Sequence, residues 1–257
     1  MEPSSFRDEQ DRLLAARMAD KARQAAARQA PLLTPFLDPR QQRVAEAALK
    51  GEDEVTYYTY GGYPGAERAR VAVMPRYFQK ETPDMDLALL EIQGDFTGEG
   101  ISHRDVLGAL LALGLKREAL GDILVMEDGA AVFATGEAAP YIEASLNRVR
   151  HLEVTVKRRE SGDFSPPPAR SREIRGTVAS LRLDAVASLG FSVSRTKIAA
   201  VIRAEQVKVN WQPVKSPAAA VKEGDVISIA GRGRLEVEKV GGESRKGRLH
   251  LVVKKYL

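Results

Sequence analysis

The spacing of hydrophobic positions changes period several times along the chain. Over residues 8–50, Leu13, Leu14, Met18, Leu32, Leu33, Val44, Ala47 and Ala48 recur at helical spacing among Ala, Arg and Gln. Pro31, Pro35 and Pro39 divide that run into at least two helices. Residues 55–60 are β-branched and aromatic, 61–65 carry turn residues, and 70–74 are apolar again, which predicts a hairpin. Its tyrosines and Arg68, Arg70 and Arg76 are readable as RNA contacts, but strand packing is the better account of them.

From residue 85 to 160 the predicted order is strand 87–92, helix 102–113, strand 122–126, turn 127–129, strand 131–134, helix 138–149 and strand 152–156. Ser102 with Asp105 three residues on forms a capping-box variant at the start of the first helix. The order β-α-β-β-α-β is a ferredoxin-like plait. Single-strand RNA binders on this plait stack bases on aromatics of the central strands. Here those strands offer only Phe133, so RNA contacts are expected from loops and helix ends.

Residues 161–170 include Pro166, Pro167 and Pro168 and read as an extended, semi-rigid linker. Beyond it, 180–189 predicts a short helix burying Leu183, Val186 and Leu189, with Gly190 suited to its end. Ser194 is placed to cap a second helix whose stripe is Ile198, Val201 and Ile202. Strands are expected at 207–211, 226–229, 235–237 and 249–253, with Gly241-Gly242 between the last two. The fold class is therefore α+β: helices and a hairpin (1–80), a plait (81–160), a linker (161–170), and two helices with a small twisted sheet (171–257).

Charge changes the picture more than composition does. Residues 170–257 hold 18 Lys and Arg against 8 Asp and Glu, whereas 1–169 hold 21 against 27. A basic end on an acidic body points to a polyanionic partner. On the second helix, Arg195, Ala199 and Arg203 form an i, i+4, i+8 ridge where small Ala199 admits a phosphate backbone, and Lys197 faces a neighbouring phosphate. Arg232, Arg234, Arg245, Lys246 and Arg248 cluster in loops, where guanidinium forks suit phosphate. The chain has no cysteine, so disulfides, thiolate nucleophiles and zinc–cysteine sites are excluded. His103, His151 and His250 lack ligand spacing, and no P-loop, G-x-S-x-G or kinase loop is present, so no metal, cofactor or catalytic residue is expected. The polar N-terminus and the lack of a long apolar run predict a cytoplasmic protein without a membrane segment.

Arg182-Leu183-Asp184, Ser194-Arg195, Val207-Lys208-Val209-Asn210 and Gly224-Asp225 together resemble the S4-type RNA-binding domain. Two departures stand out: Glu205 and Trp211 occupy positions where that family usually has glycine, which changes the first turn and adds an aromatic surface at the second. His103-Arg104-Asp105-Val106-Leu107-Gly108, Leu113-Gly114-Leu115-Lys116-Arg117-Glu118 and Gly121-Asp122-Ile123 resemble YlmH-type proteins, a likeness running from about residue 70 to the end. That resemblance implies a non-enzymatic factor binding rRNA and tRNA on the large ribosomal subunit in quality control of stalled nascent chains; relatives include photosystem II S4 proteins and proteins linked to cell division. By motif it implies RNA contacts at Arg182, Arg195, Lys197, Arg203, Lys208 and Asn210, with Arg104, Lys116 and Arg117 as further candidates, and a structural Asp184. A monomer that does not bind DNA is expected. The alternatives are an S4-type RNA chaperone and a pseudouridine synthase. Against the latter, Asp184 is followed by Ala185-Val186-Ala187-Ser188, not the Thr and Gly usual there, and no catalytic domain follows.

Overall fold

Asp8 has an extended backbone and its side chain accepts the Gln10 N–H at 2.8 Å, starting helix α1, Glu9–Arg28. The computed structural model describes residues 8–78, 82–160, 164–167, 171–244 and 247–256, so the expectation about the extreme N-terminus lies outside the described residues. The chain divides into two compact units, Met1–Pro167 and Pro168–Leu257.

In the first unit, α1 presents Ala15, Met18, Ala22 and Ala25 to Val44, Ala45, Ala48 and Leu49 of α2 (Pro39–Leu49). Small alanines allow close approach, and Asp38 with Gln41 closes a capping box at the start of α2. Strand β1 (Leu32–Leu33), absent from the sequence expectation, pairs with β3 (Arg70–Pro75), which pairs in turn with β2 (Val55–Tyr60). Arg70 is buried and donates to the carbonyls of Thr34, Met85 and Asp86, so it holds strands together.

The plait follows: β4 (Leu87–Gln93), α3 (His103–Ala112), a 3-10 turn (Arg117–Ala119), β5 (Leu120–Met126), β6 (Gly129–Thr135), α4 (Ala139–Ser145) and β9 (Thr155–Arg159). Sheet order is β5-β6-β4-β9, antiparallel throughout, as the βαββαβ reading requires. The Asp105 carboxylate accepts both the N–H (3.0 Å) and the hydroxyl (2.6 Å) of Ser102 at the head of α3. One correction concerns α4. It stops at Ser145, and residues expected to continue it form a hairpin of β7 (Arg148–Val149) and β8 (Leu152–Glu153). Arg150 at its tip has φ 54°, a left-handed turn no helix accommodates. The final strand accordingly lies at 155–159, later than expected.

Both faces of the plait sheet are covered, which is why its strands read as continuous apolar runs. Ala88, Leu90, Ile92, Val132 and Ala134 face α3 and α4. Leu89, Ala131 and Phe133 face Phe36, Tyr63 and Phe164. Close approach dictates glycine twice: a Cβ on Gly62 would lie 2.2 Å from the Phe133 ring, and one on Gly121 would lie 2.6 Å from Phe36. Phe164 falls inside the expected linker yet packs against Tyr63 and Phe133; 165–167 carry no regular structure, as a linker would, and 161–163 and 168–170 lie outside the described residues.

The second unit comprises β10 (Ser171–Val178), α5 (Leu183–Phe191), α6 (Arg195–Arg203), β11 (Val207–Val209), β12 (Gln212–Pro213), β13 (Val226–Ile229), β14 (Gly233–Glu243) and β15 (Leu249–Tyr256). Sheet order is β10-β15-β14-β13-β11-β12. Leu183, Val186, Ile198 and Ile202 from the helices pack on Val207, Ile227, Leu235 and Val253. Two sequence expectations are corrected and a strand is added. Gly190 is not a helix cap but sits buried inside α5, where a Cβ would lie 2.3 Å from Leu235; Ser192, φ 54°, ends the helix. β14 runs through Gly241-Gly242, irregular in register at Val237/Lys239 and Val240/Glu243. β10, unanticipated, pairs along all eight of its residues with β15.

Candidate nucleic-acid interface

The segment before α5 is anchored by backbone: the Leu183 N–H donates to Ala219 O (2.8 Å) and the Asp184 N–H to Pro217 O (3.0 Å). Burial of Leu183 and Val186 then fixes the rotation of α5 and leaves Asp184 in its first turn, only 6% exposed. Arg182, just outside the helix, forks onto that carboxylate through Nε (3.2 Å) and Nη2 (3.0 Å). Arg195, the first residue of α6, reaches the same two oxygens through Nη2 at 2.9 and 3.0 Å. The chain turns through 117° between the helices, and the Ser188 hydroxyl donates to Val193 O (2.7 Å) across the turn. One buried carboxylate thus holds two guanidinium groups, one from the cap of α5 and one from the start of α6.

Burial alone would raise the Asp184 carboxyl, but hydrogen bonds from Arg182 and Arg195 outweigh it and keep its pKa below the usual value. The arginine side chains remain 43% and 52% exposed. A guanidinium carries five N–H donors, so each retains donors that Asp184 does not take. Ser194 stands at the cap position as expected, but its hydroxyl makes no capping hydrogen bond.

The other expected contacts divide sharply. Lys197, Arg203 and Lys208 are exposed, and half-buried Ala199 lies between Arg195 and Arg203 on the ridge. Asn210 is otherwise engaged: its amide donates to Asp225 (2.9 Å) and accepts the Val226 N–H (3.0 Å). Buried Asp225 also accepts the Lys222 N–H, which explains the Gly224-Asp225 motif as a turn lock. The strand expected to reach Trp211 stops at Val209. Asn210 (φ 50°) and Trp211 (φ 67°) then make a left-handed turn. Glu205 is also left-handed, φ 59°, so the absence of glycine has not altered the backbone expected there. Among the cations expected in loops, Arg234 lies within β14 and stacks on Tyr256 at 4.5 Å, and Arg248 donates to the Thr177 hydroxyl and carbonyl. Arg232 is exposed, and Arg245 and Lys246 lie outside the described residues.

In the first unit, Arg104 and Lys116 are exposed. Arg117 instead donates to the carbonyls of Leu120 (2.6 Å) and Gly121 (3.0 Å). Burial, and then the nearby Arg68 cation, push its pKa down to about 10. Arg68 donates to Leu120 O and Phe36 O, while Asp122 accepts the Tyr63 hydroxyl and the N–H groups of Glu67 and Arg68. The expected site residue Arg117 is therefore part of a knot that fastens the helices and hairpin to the plait. Arg148 and Arg150, which the sequence reading passed over because it ran α4 through Val149, line a groove with Arg104. Among the described residues, no three His, Asp or Glu come together to hold a metal ion, and no single helix is long and apolar enough to cross a membrane.

Three family models match this chain in succession: "YlmH, N-terminal" over residues 10–78, "Putative RNA-binding domain in YlmH" over 80–163, and "S4 domain" over 181–227. A curated relative, "Ribosome-associated protein quality control protein P2" of Bacillus subtilis (strain 168), is 37% identical over 215 residues, covering 83% of each chain. A solved structure, "Cell division protein ylmH from Streptococcus pneumoniae", superposes with a TM-score of 0.52 at 26% identity, covering 61% of this chain and 94% of the other.

Proposed function

The chain belongs to the YlmH family of S4-domain RNA-binding proteins, and on that premise we propose that it binds rRNA and tRNA on the large ribosomal subunit and acts there, without catalysis, in quality control of stalled nascent chains. The observation that carries this reading is the Arg182–Asp184–Arg195 clamp. Two guanidinium forks held by one carboxylate are ordered before RNA arrives, so little side-chain freedom is lost when a phosphate docks. Arg203 extends the cationic ridge along α6, exposed Lys197 faces a neighbouring phosphate, and the first amides of that helix lie beside Arg195. The name carried by the Bacillus subtilis relative supports the ribosomal setting. A cytoplasmic monomer without cofactor is the form in which such a factor would act.

The same geometry speaks against a pseudouridine synthase. A catalytic aspartate must reach a flipped nucleobase. The Asp184 side chain is 8% exposed and both its oxygens are held by arginines.

Co-sedimentation tests the reading. Wild type and the Arg182→Ala/Arg195→Ala variant are spun with large subunits carrying peptidyl-tRNA, with empty large subunits and with intact ribosomes. The expected result is a preference of wild type for the tRNA-bearing subunit that the variant loses. Equal sedimentation of both proteins, or binding by neither, would overturn it.

A further inference from the structure

The sheet face of the plait is closed to RNA. Phe133, its central aromatic, is fully buried beneath Phe36, Tyr63 and Phe164. Bases cannot stack there without removing the hairpin region that the Arg68–Asp122 knot fastens down. The helical face is different. An open groove of about 460 Å³ lies between α3 and the β7–β8 hairpin, lined by Arg104 on one side and by Arg148 and Arg150 on the other. All three arginines are exposed. Among the described residues neither Arg104 nor Arg148 has a carboxylate in hydrogen-bonding range, while Arg150 stands 3.8 Å from Asp105.

The shape of the groove follows the α3 row Arg104, Gly108, Ala112, spaced i, i+4, i+8. A glycine inside a helix is unfavourable compared with alanine and is normally explained by packing. At Gly108 a Cβ would meet nothing within 4 Å, so nothing in the fold requires its absence. A second groove of about 530 Å³ shares Arg148 and Asn147 with the first and adds Gln93 and Thr155. Neutral amides and a hydroxyl beside an arginine row offer partners for ribose hydroxyls and base edges as well as for phosphates.

The geometry points to a second RNA site on the helical face of the plait, in which a phosphodiester backbone lies along Arg104, Gly108 and Ala112 and is gripped from across the groove by Arg148 and Arg150. This inference rests on the ribosomal reading and deepens it by naming the face of the plait and the groove on that face in which the RNA strand lies. Charge decides the occupant: three guanidinium groups line the two grooves against two carboxylates, Asp105, which already accepts from Ser102, and Glu153, and arginine matches phosphate in a two-point fork.

Equilibrium binding of the full chain to fluorescein-labelled tRNA, measured by anisotropy across a salt series, tests it. Four proteins are compared: wild type, Arg104→Ala/Arg148→Ala/Arg150→Ala, Gly108→Leu, and Arg182→Ala/Arg195→Ala. Leucine favours helix over glycine, so Gly108→Leu melts no lower than wild type and any lost affinity is not unfolding. The site predicts weaker binding by the triple variant, with the log–log salt slope lower by roughly one for each arginine that meets a phosphate. It also predicts weaker binding by Gly108→Leu, whose side chain fills the groove. If the triple variant binds like wild type while Arg182→Ala/Arg195→Ala fails, the groove is not an RNA site and the ribosomal reading survives; an acidic protein occupant gives that outcome. If the triple variant weakens but Gly108→Leu does not, the arginines act only through distant charge and the seating in the groove is wrong. If wild type does not bind, the groove and the ribosomal reading fall together.

Discussion

Each unit contains two arginines gathered around one aspartate, and the two gatherings do opposite work. In the second unit Asp184 accepts from the guanidinium groups of Arg182 and Arg195, whose remaining donors face water. In the first, Asp122 accepts from the Tyr63 hydroxyl and from backbone N–H groups, and Arg68 and Arg117 donate to backbone carbonyls. The hydrogen bond to Asp184 raises the pKa of Arg182, whereas burial lowers those of Arg68 and Arg117. The ingredients are the same, but what the carboxylate accepts from decides whether the arginines are displayed or absorbed. Display suits a ligand; absorption fastens two parts of a fold.

The largest expected effect breaks the absorbed member of the pair. Asp122→Ala leaves the Tyr63 hydroxyl and two backbone N–H groups without their acceptor, and stability should fall by about 3 kcal/mol. Urea denaturation reads the loss, and tRNA affinity of the protein that remains folded should stay at the wild-type level. A selective loss of RNA binding at unchanged stability would show that the knot belongs to an interface and that the contrast is false.

The displayed member should behave the other way. Arg182→Ala/Arg195→Ala should lower the salt slope of tRNA binding by roughly two, one for each phosphate contact. Its stability should fall too, because the buried Asp184 carboxylate loses both of its guanidinium partners, but the loss of tRNA affinity should persist in the protein that remains folded. A smaller effect sharpens the role of Asp184 itself. Its folded pKa lies below the ordinary aspartate value of 3.8, so the clamp's contribution is complete above that pH and disappears as pH falls through the lower folded value. Asp184→Asn should therefore cost about 1 kcal/mol at pH 7, the pairs being half-exposed and screened. Wild type and variant should begin to converge as pH falls below 3.8 and should match once it has passed the lower folded value; a gap that does not narrow over that range would mean the charge on Asp184 is not what holds the arginines.

Much of this was legible in sequence because local rules and tertiary structure agree. The plait order could be read from apolar runs separated by good turns, and the two-helix module from Ser194, the Ile198–Ile202 stripe and the basic ridge. The failures have physical causes. The 148–153 hairpin is too short for a strand period, and its Val149 prolongs the helical spacing of α4. β10 carries exposed Arg172, Glu173 and Arg175, the charged surface an edge strand presents to prevent further pairing, so it lacked an apolar signal. Gly190 reads as a helix stop, because the Leu235 side chain that demands it lies forty-five residues on. Arg117 and Asn210 have the composition of a site. That they face Leu120 and Gly121, or Asp225 and Val226, depends on where the chain returns, which spacing does not encode.

The smallest expected effect concerns the turn between β11 and β12 in the same unit as the displayed clamp. Trp211 at φ 67° is a bulky residue in the left-handed region, directly after Asn210 at φ 50°. A two-residue hairpin turn with both central residues left-handed favours Asn-Gly, so this turn keeps the first preference and forgoes the second. The left-handed conformation costs a non-glycine residue about 1–2 kcal/mol, and glycine returns part of that through its freedom in the unfolded chain. Trp211→Gly should therefore stabilise the protein by about 0.5–1 kcal/mol, read as a higher urea midpoint. Affinity for tRNA supplies the second readout. If the strain serves only to complete the turn, Trp211→Gly binds tRNA as wild type does. If binding weakens while stability rises, the half-exposed indole is held in a strained turn as a stacking surface, and the displayed face extends past the arginines to an aromatic.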